Sequence, residues 1–246
     1  MSFKSLNLIN PIIRAVTEAG YSKPTEIQDT AIPHILMGKD IMAFSPTGTG
    51  KTAAFAMPIL QLLKKNTPQH NEIRTLILTP TRELVVQVEE NIKGYSKYLP
   101  LSQLSLFDES QGSQFADLRK RVDVLIATPT RLLQLMGQRH IDLSKLEILV
   151  LDEADRMLDM EFADDVKKIM KTVSSKRQTL FFSATMTANI RKFAETLINN
   201  AVEITIAPIS LTSETIQQSV YFAKKKEQTG FKIPVTKPIK TFQYTT

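Results

Sequence analysis

Lys51 and Thr52 close the run Ser45-Pro46-Thr47-Gly48-Thr49-Gly50-Lys51-Thr52, which lies between an apolar stretch, Ile41-Met42-Ala43-Phe44, and an apolar helical one. Glycines, a lysine and a hydroxyl at this spacing, between a strand and a helix, read as a loop that wraps phosphate. The glycines let backbone N–H groups turn inward around phosphate oxygens. Lys51 supplies positive charge to the outer phosphates, and Thr52 can hold a magnesium ion. Ser45 stands where a glycine usually opens the pattern, and Pro46 follows it; a small residue and a fixed φ both suit the entry to a tight loop. The run predicts a nucleotide as first ligand.

A second group of reactive side chains follows the apolar run Leu146-Glu147-Ile148-Leu149-Val150-Leu151, which ends in Asp152-Glu153-Ala154-Asp155. Such a run is expected of a buried parallel strand, and carboxylates at its carboxyl end sit where open α/β sheets bind ligands. Asp152 can bind magnesium through water, and Glu153 can polarise the water that attacks a γ-phosphate. Alone, the four residues could equally be a solvated turn opening the next helix. Paired with the phosphate loop, they predict nucleotide hydrolysis.

The elements that must position these residues alternate along the chain. Strand-like runs fall near 40–45, 74–79, 102–107, 122–128, 146–152, 178–184 and 202–206, with amphipathic helices between several of them. Asn10-Pro11 reads as a helix N-cap with proline at the first helical position, and Gly20 as the stop. A second helix is expected from about Glu26 towards Gly38, with a possible bend at Pro33. Phe162, Val166, Ile169, Met170 and Val173 recur at the helical period. The alternation predicts an α/β fold, a mostly parallel sheet with helices on both faces. Residues 1–208 read as one domain and 209–246 as a linker or flexible lysine-rich tail, in which Gln218-Ser219-Val220-Tyr221-Phe222 could pair briefly as a strand.

Composition narrows the class. The 246 residues are 42% hydrophobic and 23% charged, ordinary for a soluble globular chain. There is no cysteine, so disulfides and thiolate zinc sites are excluded, and His34, His70 and His140 have no ligand spacing. No apolar run approaches a membrane span and the amino terminus has no signal-peptide pattern, so a cytoplasmic protein is expected. The net charge is +6, but from Ala223 onwards six lysines against one acid, Glu227, carry +5 of it. The folded body is nearly neutral, and bulk basicity is weak support for nucleic-acid binding by that body.

Taken together and in order, these motifs resemble the amino-terminal RecA-like domain of DEAD-box ATP-dependent RNA helicases, most nearly the bacterial RhlE type, from Phe3 to roughly Phe222. The resemblance implies a RecA-like P-loop NTPase fold, with ATP and Mg2+ as ligands and RNA as partner. Phe3 and the segment Gly20-Tyr21-Ser22-Lys23-Pro24-Thr25-Glu26-Ile27-Gln28 look like the family's adenine-recognition element. A glutamine amide donates and accepts together, matching adenine's N6 donor and N7 acceptor, and Phe3 could stack on the base. Pro80-Thr81-Arg82-Glu83-Leu84 and Thr128-Pro129-Thr130-Arg131 resemble segments that grip the RNA backbone through hydroxyls, arginine and helix-start N–H groups. Without the resemblance each could equally be a strand-to-helix turn with a threonine cap. Ser183-Ala184-Thr185 resembles the element whose hydroxyls bond to the acidic motif and couple nucleotide state to RNA, with Asp155 its partner.

The chain departs from the family mainly on the RNA side. Asp108-Glu109-Ser110, with Gly112 slightly later, stands where a Gly-Gly pair is usual, and Thr130 and Glu161 replace further glycines. Glycines permit close backbone approach, whereas acids repel a phosphate chain, so weak, sequence-independent RNA binding is expected. The family's second RecA-like domain, which brings arginines to the γ-phosphate, has no counterpart in these residues. The function expected is thus ATP hydrolysis coupled to RNA remodelling when such a domain is available. The alternatives are an ATP-binding or RNA-binding fragment without turnover, or a different P-loop ATPase such as a DNA translocase. Gln28 with Phe3 and the Asp-Glu-Ala-Asp run argue against the last.

Overall fold

In the computed structural model, the residues described are 2–65, 72–107, 118, 120–160, 162–198 and 200–207. Pro208 and the expected tail 209–246, with the strand expected at 218–222, and Asp108, Glu109, Ser110, Gly112 and Glu161 lie outside them. Among the described residues seven strands form one sheet: β1 (Ile41–Phe44), β2 (Thr75–Leu78), β3 (Gln103–Leu106), β4 (Val124–Ala127), β5 (Ile148–Leu151), β6 (Gln178–Ser183) and β7 (Val202–Thr205). Their order is β3-β4-β2-β5-β6-β1-β7, and every neighbouring pair is parallel. All four residues of β1, β2, β4 and β5 are buried. A parallel strand covered on both faces reads in sequence as a continuous apolar run, which is why these were legible.

Side chains alternate between two cores, one on each face. Ile41, Ala43, Ile77, Ile126, Val150, Leu180 and Phe182 face a cluster that takes in Ile12 of α1 (Asn10–Glu18), Ile32 of α2 (Glu26–Leu36), Phe55 of α3 (Lys51–Lys65) and Val88 of α4 (Arg82–Tyr95). Phe44, Leu76, Leu125, Leu149 and Phe181 face the other, with Leu132 of α5 (Pro129–Gly137), Met157 of α6 (Ala154–Asp159), Val166 of α7 (Ala163–Met170) and Phe193 of α8 (Ala188–Glu195). Phe162 and Val173, expected inside α7, flank it and pack on the same cluster. The N-cap of α1 is Ile9, one residue before the expected Asn10. Its backbone N–H donates to Gln61 Oε1 at 2.8 Å, which fixes where the chain turns into the helix.

The phosphate loop leaves β1 for α3 on one face, and the acidic run leaves β5 for α6 on the other. β6 lies between them. Connections that diverge to opposite faces open a crevice at the carboxyl ends of the strands, the usual ligand position in such sheets. At the other end, buried Arg74 is a strut: Nε and Nη2 donate to Glu147 Oε1 and Oε2 at 2.6 and 3.0 Å, and Nη1 donates to Leu63 O.

Candidate nucleotide site and the turns beside it

The Ser45 N–H donates to Ser183 O at 3.0 Å, so the loop begins tied to the end of β6. Gly48 and Gly50 have φ of 80° and 92°, in the left-handed region that side chains disfavour. At Gly50 a Cβ would also run into the Gln28 side-chain amide. Thr49 Oγ1 donates to Pro46 O at 2.8 Å. A hydroxyl has one proton, so the 2.6 Å contact of Ser45 Oγ with Thr49 Oγ1 is donated by Ser45. Buried Lys51, the first residue of α3, donates from Nζ to Ser45 O at 3.0 Å and lies 3.2 Å from Glu153 Oε1. The lysine ammonium and the carboxylate thus meet over the end of β6.

Glu153 reaches Lys51 through an uncommon backbone. It is the N-cap of α6 with φ 54° and ψ 47°, a left-handed conformation that costs a side-chain-bearing residue about 1–2 kcal/mol. Asp152 is only 3% exposed, and its Oδ1 accepts the Glu153 N–H at 3.1 Å. Burial, and then the neighbouring charge of Glu153, push the Asp152 carboxyl up to about 7 against the opposing pull of Lys51. A carboxylate in this state gains from a nearby cation. Thr52, next to Lys51 in the loop, carries a hydroxyl, and a hydroxyl and a carboxylate are the hard oxygen donors that magnesium takes together with water and phosphate oxygens. Among the described residues no three or more His, Cys, Asp or Glu side chains form a metal cage.

Asp155 and Thr185 meet directly, with the Thr185 N–H and Oγ1 both donating to Asp155 Oδ2 at 3.1 Å. Ser183 does not join them. Its Oγ donates to Thr185 O at 2.9 Å and accepts the Thr185 N–H at 3.3 Å, closing the turn on itself.

The residues expected around the base are arranged differently from expectation. Phe3 is 6% exposed and packs in the first core with Leu6, Leu8 and Ile12. Apolar burial draws the ring inward, so it is a core plug and not an open stacking face. The Gln28 amide is engaged at both ends: Oε1 accepts the Thr25 N–H at 3.1 Å, capping α2, and Nε2 donates to Gly50 O at 3.2 Å. One N–H and one lone pair remain. Tyr21 is exposed.

On the turns after β2 and β4, Pro80 is buried and Thr81 caps α4, accepting the Leu84 N–H at 3.4 Å. Arg82 is exposed, with its guanidinium 5.1 Å over the Phe107 ring. Thr128 is the N-cap of α5 with no side-chain bond in that role. Arg131 is 7% exposed and donates from Nη1 to Gln134 Oε1, so it packs into the fold instead of facing a ligand on the surface. Thr130 Oγ1 donates to Asp165 Oδ2 at 3.1 Å. The Arg131–Gln134 pair has a sequence signal, the i, i+3 spacing on a helix. Glu153's turn toward Lys51 and Gln28's bond to the loop have none.

Residues 25–193 match the family model described as DEAD/DEAH box helicase. The chain is 39% identical over 228 residues to the DEAD-box ATP-dependent RNA helicase RhpA of Helicobacter pylori, covering 92% of this chain and 46% of that protein. It is 41% identical over 231 residues to the ATP-dependent RNA helicase DeaD of Buchnera aphidicola, covering 92% and 38%. Among solved structures, a DEAD box protein from Methanococcus jannaschii superposes with TM-score 0.78 at 35% identity over 83% of this chain and 56% of that one. A hypothetical ATP-dependent RNA helicase from Sulfolobus tokodaii gives 0.73 at 38%, over 80% and 57%. The chain thus spans less than half the length of these two curated relatives.

Proposed function

Because the chain belongs to the DEAD/DEAH box helicase family, we propose that it is the nucleotide-binding RecA-like domain of an ATP-dependent RNA helicase. It binds ATP with Mg2+ at the phosphate loop, and with a second RecA-like domain couples hydrolysis to RNA remodelling. The observation that carries this reading is the 3.2 Å approach of Lys51 Nζ to Glu153 Oε1 in one buried mouth. A phosphate-binding cation and a water-polarising carboxylate are there assembled from two separate strand ends.

In this reading the loop N–H groups and Lys51 hold the β- and γ-phosphates, and the entering phosphate takes the ammonium from Glu153. Freed from that pair, Glu153 accepts a hydrogen bond from the attacking water and orients it in line with the γ-phosphorus. Thr52 and Asp152 would hold magnesium, which supplies charge neutralisation on the phosphate oxygens when bound. The spare N–H and lone pair of Gln28 read the adenine edge. RNA contacts come from Thr81, Arg82 and the α5 start, are made to the backbone, and are weak and sequence-independent.

The test is the Glu153→Gln variant assayed together with a second RecA-like domain, against the parent with the same domain. Its RNA-stimulated ATP turnover is expected to fall by roughly 10²–10⁴-fold, with ATP affinity within a few-fold of the parent. Retained turnover would show that Glu153 does not position the water.

A further inference from the structure

Thr79 follows β2 and precedes the turn that begins at Pro80. It is 0% exposed, and its hydroxyl has no hydrogen-bond partner among the described residues. A buried hydroxyl left unpaired is destabilising, and valine would fill the same volume without that cost. The group therefore calls for an explanation.

Strand register supplies one. β2 and β5 pair as Ile77↔Val150 and Leu78↔Leu151. The ladder continues one residue further, because the Asp152 N–H donates to Leu78 O at 2.9 Å and the Thr79 N–H donates to Ala127 O at 3.1 Å. Thr79 is then opposite Asp152. Ile77 and Val150 share the first core, and side chains repeat every second residue along a strand. Thr79 and Asp152 accordingly project from the same face of the sheet, on strands that run ~4.8 Å apart. The Asp152 carboxylate has one partner from its own turn, the Glu153 N–H on Oδ1. A hydroxyl on the adjacent strand can steady it from the other side.

We propose that Thr79 is a positioning residue for the metal-binding carboxylate: its hydroxyl donates to Asp152, directly or through one water, and holds the carboxylate in the orientation that magnesium requires. This rests on the reading of Asp152 and Thr52 as magnesium ligands. Partners that orient a metal-binding side chain commonly change metal affinity 10–100-fold when removed. Thr79 also lies immediately before the turn expected to meet RNA, which begins at Pro80.

The experiment measures the affinity of the chain for a fluorescent ADP analogue across a Mg2+ titration and in EDTA. Parent, Thr79→Val and Thr79→Ser are compared, with thermal unfolding of each ligand-free protein. Thr79→Val is expected to need about 10-fold more Mg2+ for half of the metal-dependent gain in affinity. Its affinity in EDTA should equal the parent's, its unfolding temperature should be no lower, and Thr79→Ser should restore the Mg2+ response. A Mg2+ response of Thr79→Val equal to the parent's would overturn the proposal. An equal loss in Mg2+ and EDTA would also overturn it, because the hydroxyl would then act on loop packing. If the parent shows no Mg2+-dependent gain, the metal reading itself fails and the proposal with it.

Discussion

The two halves of the site crevice are built on opposite plans. At the ends of β1 and β5, charged groups are buried and meet one another: Lys51, Ser45 and Glu153 lie within 3.2 Å contacts, and Asp155 holds Thr185. At the ends of β2 and β4 most of the polar side chains on the turns are engaged by the fold itself, Thr79 apart. Thr81 caps a helix, Arg131 is buried against Gln134, Thr130 holds Asp165, and Arg82 alone of the two arginines reaches solvent, stacked over Phe107. The first half brings opposite charges together within the fold, whereas on the turns after β2 and β4 one of the two arginines, Arg131, is buried. The sequence concentrates positive charge in residues 223–246, with six lysines against one acid.

Deleting 223–246 is the largest perturbation this contrast suggests. If the six lysines there make most of the phosphate contacts, the slope of log affinity for single-stranded RNA against log salt should flatten by up to about four. An RNA titration at several salt concentrations measures it; an unchanged slope would return recognition to the folded body. Lys51→Ala comes next. Loss of a buried charged donor to phosphate should weaken ATP binding roughly 10–100-fold by calorimetry, and unchanged binding would mean that the loop is not a phosphate site.

The buried carboxylate gives a pH test. The Asp152 carboxyl in the folded chain titrates near 7, well above its ordinary value of 3.8, so its contribution to stability is present at low pH and lost as pH rises through about 7. Asp152→Asn should therefore unfold several degrees higher than the parent at pH 8, with the gap shrinking towards pH 5, in ligand-free thermal melts. A gap independent of pH would show that ionisation of Asp152 is not the cause. The smallest effects separate the two arginines. Arg131→Ala should cost about 1–3 kcal/mol of stability in urea unfolding and leave the RNA salt slope alone. Arg82→Ala should reduce that slope by about one or less at little stability cost. The reverse pattern would make Arg131 the phosphate contact and Arg82 the structural arginine.

The strands and the phosphate loop were legible in the sequence because their signals are local. A strand buried on both faces must be apolar throughout, and a loop that wraps phosphate needs glycine where φ is positive, as at Gly48 and Gly50. Other features depend on tertiary direction. Phe3 and Arg131 have the composition of ligand-contacting residues, yet packing turned both inward. Glu153 reaches Lys51 only through a left-handed φ at a residue type that gives no hint of it. Gln28 reads in sequence as a base contact, and its second task, capping α2, is visible from Thr25 three residues earlier.

The buried floor of the nucleotide mouth sets one ammonium, that of Lys51, against three carboxylates, those of Asp152, Glu153 and Asp155. A triphosphate approaching such a floor adds negative charge to negative charge. Its entry is therefore coupled to the uptake of positive charge, as protons or cations, and nucleotide affinity becomes a property of the ionic solution as much as of the loop.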